Sequence, residues 1–170
     1  MKWLGVCHNS RMNDLPSLAL IQAESNADIE QARALFKEYA VSLGIDLCFQ
    51  NFEKEVAELP GEYASPGGVL LLARLGSEIA GCVALRKISS EICEMKRLYT
   101  RPQFRGMGIG RALAIRIIEE GRKRRYQRMR LDTLPSMKQA IELYRSLGFK
   151  PISPYRFNPI EGALFMEFEL

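Results

Sequence analysis

Histidine is nearly absent: the 170 residues hold one, His8. A hydrolase built on Ser-His-Asp or Cys-His would need that side chain to reach in from the first few residues, which argues against both. The four cysteines, Cys7, Cys48, Cys82 and Cys93, are widely spaced and form no C-x-x-C pair. Spacing of this kind does not make a zinc site, and no metal is expected. Cys82 and Cys93 sit in apolar, strand-like runs and are expected to be inert buried thiols. Long hydrophobic runs are lacking too: 79–85 is typical of the longest, far short of the roughly 20 residues that span a bilayer. Lys2 is followed by no apolar stretch long enough for a signal-peptide h-region, so none is read there. Nor is there a large charge excess, since 24 Lys+Arg against 20 Asp+Glu leaves +4. That balance suits an anionic ligand without demanding nucleic acid. A cytoplasmic protein with no membrane and no nucleic-acid partner is expected.

What is present is the composition of an ordinary soluble globular domain, 47% hydrophobic and 26% charged. Residues 1–16 have no period and read as a tail, and 17–170 read as one domain. A first strand is expected over 17–21. Asn26 is then placed to cap a helix whose face carries Ile29, Ala32, Phe36, Tyr39 and Leu43, with Gly44 as its stop. A second helix fits 51–59. Three runs, 69–73, 79–88 and 92–100, are joined by short turns and predict an antiparallel meander. A long helix over about 108–126 presents Leu113, Ala114, Ile117, Ile118 and Gly121 on one side, with Arg116–Glu120 and Glu119–Lys123 as pairs on the wet side. A strand over 129–133 follows. Ser136 and Gln139 suggest a capping box for a helix ending at Gly148, and a last strand covers 163–170. The order is that of a mixed α/β domain.

The chemistry lies in Glu94-Met95-Lys96-Arg97-Leu98-Tyr99-Thr100-Arg101-Pro102-Gln103-Phe104-Arg105-Gly106-Met107-Gly108-Ile109-Gly110-Arg111. Three alternating glycines between a strand and a helix start let the backbone turn its N–H groups toward a ligand. The helix N-terminus and Arg101, Arg105 and Arg111 add positive charge, making an anion cradle suited to phosphate. It is not a Walker A loop, because Arg111-Ala112 follows Gly110 where Lys and Ser/Thr are needed. It is not a dinucleotide fingerprint either, because the glycine spacing is wrong and a meander precedes it.

The segment resembles the GNAT superfamily of N-acetyltransferases. The family signature, (Gln or Arg)-x-x-Gly-x-(Gly or Ala), is matched by Arg105 to Gly110. A second hallmark, Ala-x-x-x-Tyr-x-x-x-Gly-Phe, is matched by Ala140, Tyr144, Gly148 and Phe149, with Tyr144 34 residues beyond Gly110. The resemblance implies the GNAT fold, with a meander followed by splayed parallel strands and flanking helices. It implies acetyl-CoA as co-substrate, its pyrophosphate on the N–H groups of Arg105, Gly106, Met107, Gly108, Ile109, Gly110 and Arg111, and its pantetheine arm along Leu98, Tyr99 and Thr100. By the same resemblance Glu94, eleven residues before Arg105, is the general base, and Tyr144 is the general acid facing the sulfur. Where many relatives carry an Asn that contacts the CoA arm, this chain has Met137.

Acetyl transfer to an amine needs a proton acceptor, because an alkyl amine with a pKa of about 10.4 is mostly ammonium at neutral pH. Strand alternation sets Glu94 on the face of Leu98 and opposite Arg97, unless a bulge intervenes. The acceptor is expected to be a small molecule. Arg97, Tyr155 and Arg156 are the candidate substrate residues, the two arginines suiting a carboxylate beside the amine. A CoA-binding module without catalysis is the alternative. The run Arg122-Lys123-Arg124-Arg125 reads as a solvated helix end, not a nucleic-acid surface. Oligomeric state is left open, with a homodimer as one option.

Overall fold

The computed structural model describes residues 17–48 and 51–170. The expected tail over 1–16, with Cys7 and His8, lies outside the described residues. Strand β1 (Leu18–Gln22) leads to helix α1 (Asn26–Leu43), and a short α2 (Phe52–Ala57) follows. The meander is β2 (Val69–Leu75), β3 (Glu78–Lys87) and β4 (Ile92–Thr100). Next come α3 (Ile109–Lys123), β5 (Arg128–Thr133), α4 (Lys138–Leu147), β6 (Lys150–Ile152) and β7 (Leu164–Glu169). The seven strands form one sheet in the order β1-β2-β3-β4-β5-β7-β6. Every neighbouring pair is antiparallel except β4 and β5.

Local chemistry sets the helix ends, with two departures from expectation. The cap of α1 is Ser25, not Asn26: Asp28 N–H donates to Ser25 Oγ at 3.1 Å while Ser25 N–H donates to Asp28 Oδ2 at 3.2 Å. Gly44 ends the helix at φ 63°, as its position predicts. The Ser136–Gln139 box does not form, because α4 starts after Met137, which offers no side-chain cap. On α3 the expected apolar face is buried, and Arg116 reaches Glu120 at 3.0 Å. Lys123, however, pairs with Glu120 and not Glu119, and Arg124 joins them at 2.6 Å.

Strand alternation divides the core in two. On one face Leu71, Val83, Leu85, Cys93 and Met95 pack against Leu113, Ile117 and Ile118 of α3 and against Tyr144. On the other face Leu70, Leu72, Cys82, Ala84 and Tyr99 pack against Ala32, Leu35 and Phe36 of α1 and Val56 of α2. Cys82 and Cys93 are buried, and burial pushes both thiols up, Cys93 to about 12, which accords with inert packing groups. Among the described residues no helix is long and apolar enough to cross a membrane, and no group of three His, Cys, Asp or Glu side chains could hold a metal.

Candidate active site

The parallel ladder between β4 and β5 is short. Ile92, Cys93 and Glu94 pair with Arg128, Met129 and Arg130, and both strands then run on without further rungs, to Thr100 and Thr133. Leu131, Asp132 and Thr133 therefore part from Lys96, Arg97 and Leu98, and the space between them is a gap. Tyr39, Leu43, Ile45 and Leu47 wall the gap from α1 and the segment after it, and Met137, Tyr144 and Asn158 complete it.

A bulge in β4 sets which side chains face it. The β3–β4 register jumps from Ala84↔Lys96 to Cys82↔Tyr99, so Arg97 and Leu98 together stand opposite Val83. Arg97 takes the extra step at φ 57°, in the left-handed region. The bulge brings Arg97 to the same face as Glu94 and Lys96, toward α1 and α2, while Leu98 packs on the α3 side. The simple alternation that sets Glu94 with Leu98 is thus overturned by the bulge. Across the sheet Gly81 must be glycine for a different reason: a Cβ there would lie 2.4 Å from the Tyr99 carbonyl oxygen.

Beside the gap lies a groove of about 720 Å³ that shares Tyr39, Leu43, Leu98 and Met137 with its lining. Leu98, Tyr99 and Thr100 line one side, Arg105, Gly106, Gly108, Ile109, Gly110 and Arg111 the end, and residues 136–140 with Leu143 the other side. Gly106 and Gly108 hold φ 79° and 77°, which bends the loop back onto the start of α3. A Cβ at either would meet nothing within 4 Å, so the space above them is open. No side chain caps α3, leaving its first N–H groups to a ligand. Arg105 donates to the Thr100 carbonyl at 3.3 Å and Arg111 to Ser146 Oγ at 3.0 Å, both exposed at the rim. Met107 is exposed, whereas Ile109 is a core residue that anchors the helix start. This end of the groove presents backbone N–H groups and arginine cations, chemistry suited to a phosphate-bearing ligand, and β4 has no paired neighbour on its β5 side beyond Glu94. Met137 lines both groove and gap.

The residues nominated for chemistry fall into different places. Tyr144 lines the gap, buried against Phe149 at 5.8 Å between ring centroids. Burial, with the nearby Tyr39 and Asp132, pushes its phenol up, so it stays protonated. Glu94 is fully buried. Its Oε2 accepts from Arg86 Nε at 2.6 Å, and its Oε1 accepts from the Tyr155 hydroxyl at 2.8 Å and from Arg156 Nη1 at 3.0 Å. Burial raises the carboxyl, but the charges of Lys96, Arg86 and Arg156 and the Tyr155 bond overcome this and hold it at about 2. Arg97 is clamped by Glu55, Nε to Oε1 at 2.9 Å and Nη2 to Oε2 at 2.5 Å, and stacks on Tyr39 and Phe52. Arg156 also approaches Asp132 Oδ2 at 3.9 Å. Both guanidiniums are thus matched to internal carboxylates.

Residues 29–149 match the family model for the acetyltransferase (GNAT) family. The chain belongs to the GNAT family. An uncharacterised N-acetyltransferase of Schizosaccharomyces pombe is 41% identical over 145 residues, covering 84% of this chain and 89% of that one. The crystal structure of an acetyltransferase from Streptococcus agalactiae superposes with a TM-score of 0.74 at 22% identity, covering 90% and 98% of the two chains. The PaiA N-acetyltransferase of Thermoplasma acidophilum, solved in complex with coenzyme A, superposes at 0.68 with 20% identity, covering 91% and 99%. The parted strands and the glycine loop here are thus the GNAT arrangement. Lys96, Asp132, Asn158 and Tyr39 also line its gap, though none was nominated from sequence. Lys96 and Asp132 could have been found by counting two residues past Glu94 and past Arg130 along the parallel strands, once the register between them was known.

Proposed function

We propose that the protein moves the acetyl group of acetyl-CoA onto the primary amine of a small molecule, by direct attack and without a covalent enzyme intermediate. The observation that carries this reading is that the glycine-loop groove and the gap between β4 and β5 adjoin, with Tyr39, Leu43, Leu98 and Met137 in the walls of both. Acetyl-CoA, when bound, would supply the thioester. The loop N–H groups and the positive end of α3 hold its phosphates, and Leu98 to Thr100 offer it a strand edge. Tyr144 donates a hydrogen bond to the departing sulfur. Because its phenol is pushed up, it stabilises the thiolate more than it surrenders a proton outright.

Glu94 takes a role different from that of base. A carboxylate held at about 2 and already accepting from three groups is a poor receiver of an amine's proton. We assign it to holding Tyr155 and Arg156 against the sheet beside the gap. The committed guanidiniums of Arg97 and Arg156 likewise speak against an arginine clamp for an acceptor carboxylate. A small amine is favoured because aromatic and aliphatic side chains from α1 and the segment after it wall the gap.

The test is thiol release from acetyl-CoA across a panel of small primary amines and one lysine-rich peptide. Amine-dependent release with small amines is expected. Preference for the peptide would replace the small acceptor, and CoA binding without transfer to any amine would mark a silent binding module.

A further inference from the structure

Glu94 and Arg130 form the last rung of the parallel β4–β5 ladder. Two residues further along each strand stand Lys96 and Asp132. Side chains alternate along a strand, so both return to the face that carries Glu94. The strands have parted at that level, and both residues line the gap, one on each lip. Lys96 is 6% exposed, an uncommon burial for lysine.

Asp132 is held in place from one side. Asn158 Nδ2 donates to Asp132 Oδ2 at 3.0 Å, and Asn158 is itself fixed by accepting the Ile160 N–H at 3.0 Å. Arg156 Nε lies 3.9 Å from the same Oδ2. These contacts all fall on one carboxylate oxygen, Oδ2.

We propose that Lys96 is the proton acceptor of acetyl transfer and that Asp132 receives the ammonium of the acceptor. This rests on the acetyltransferase reading above. The acceptor docks as R–NH3+ against Asp132. Its proton passes to the neutral Lys96 amine, giving R–NH2 and a Lys96 ammonium. The nitrogen lone pair forms the C–N bond to the thioester carbon, and the C–S bond breaks with its electrons on sulfur. The second proton of the attacking nitrogen ends on that sulfur, so the products are R–NH–CO–CH3 and CoA thiol. Lys96 then returns its proton to solvent.

The surroundings of Lys96 favour this chemistry. Burial lowers its ammonium, and Arg97 on the same strand and Arg156 from the C-terminal segment lower it further. Glu94 and Asp132 oppose them, and the balance is about 8. Glu55 of α2 also senses its charge, while the phenols of Tyr39 on α1 and Tyr144 on α4 line the same gap. A lysine brought near working pH by burial is a competent general base, whereas the neighbouring carboxylate at about 2 is not. Arrival of a second cation beside Asp132 favours the neutral form of Lys96 further.

The deciding experiment compares kcat/KM against pH for the wild type, Lys96→Arg, Lys96→Met and Asp132→Asn, with CoA affinity measured by calorimetry on each. The wild type should show an inflection near pH 8. Lys96→Arg keeps a cation that cannot deprotonate, and should lose at least roughly 10²-fold, as should Lys96→Met, with the inflection gone and CoA affinity within about twofold. Asp132→Asn should raise KM for the amine and move the inflection to lower pH, because the Asp132 charge raises Lys96. Full activity in Lys96→Arg, or an unmoved inflection in Lys96→Met, overturns the assignment. So does recovery of an acetylated Lys96 from turnover, which would make it a nucleophile. A wild type that releases no CoA with any amine sinks the acetyltransferase reading instead.

Discussion

The Tyr155 hydroxyl donates to Glu94 Oε1 at 2.8 Å, tying the segment before β7 to the middle of β4. Arg156 reaches the same oxygen, Arg86 takes the other, and Arg86 in turn reaches Glu62 Oε2 at 2.7 Å. Two parts of the chain, at Arg86 and at residues 155–156, therefore meet on one buried carboxylate, and Glu62 joins them through Arg86. Such a hub holds only while every charge in it is matched.

Glu94→Gln should accordingly act on stability first. Removing one partner of a buried ion pair costs about 3–5 kcal/mol, which for a chain of this size lowers Tm by roughly 6–20 °C. Activity should fall as well, and the loss should persist at high pH, because the missing group is not the one that titrates during turnover. Thermal melts and rates at pH 7 and 10 check this. Recovery of rate at high pH without a change in Tm would return Glu94 to the role of base.

Acid should unfold the protein through Glu94 and Glu120. Both are held at about 2, below the ordinary carboxylate value of 4.5, Glu94 by its hub and Glu120 by Arg124, Lys123 and Arg116 against the opposing effect of burial. A carboxylate depressed by folding stabilises fully above its unfolded pKa, and the contribution is lost as pH falls through the folded one. Tm should be level between about pH 5 and 8 and decline between about pH 4.5 and 2. Glu120→Gln should be less stable at neutral pH and show a shallower decline. A decline equal to that of the wild type would remove Glu120 from the account.

Gly108→Asp should weaken CoA binding by at least about tenfold, or 1.4 kcal/mol, by placing a negative charge where the cradle receives phosphate. Gly108→Ala is the control. Its Cβ meets nothing within 4 Å, so its cost is the positive φ alone, about 1 kcal/mol of stability. Calorimetry with equal CoA affinity in wild type and the aspartate variant would sink the cradle.

Tyr144→Phe keeps the ring that packs on Phe149 and removes the hydroxyl. A hydrogen bond to a charged group is worth about 1.5–3 kcal/mol, so kcat should drop roughly 10- to 100-fold while CoA affinity stays close to that of the wild type. An unchanged kcat would leave Tyr144 as a packing residue only.

Much of the fold was legible because periodicity and end signals are local. The α3 face from Leu113 to Gly121, the Gly44 stop and the three strands of the meander needed no distant information. The α4 box failed because the cap position fell on Met137, one residue past Ser136. Strand β6 went unseen because three residues containing Pro151 carry no pattern, and pairing with β7 alone makes them a strand. At the site, the glycine loop and Tyr144 could be placed from their motifs, since each motif sits on one element. The partners of Glu94 could not, because Tyr155 and Arg156 lie 61 and 62 positions away. Lys96 was visible only as a neighbour of Glu94, and its place on the lip depends on where β4 and β5 cease to pair.

The extra residue at Arg97 works as a phase slip in the strand. Up to Lys96, even-numbered positions of β4 look toward α1 and α2; beyond it, Leu98 looks toward α3 and the odd-numbered Tyr99 takes the former direction. A single deletion here would therefore do more than erase one guanidinium. It would turn Leu98, Tyr99 and Thr100 over, presenting the opposite set of side chains to the groove. Two chains of this shape that differ by one residue at this point would share their glycine loop and Tyr144 and yet offer CoA and the acceptor interchanged walls, so parity counted from Glu94 does not carry past Arg97.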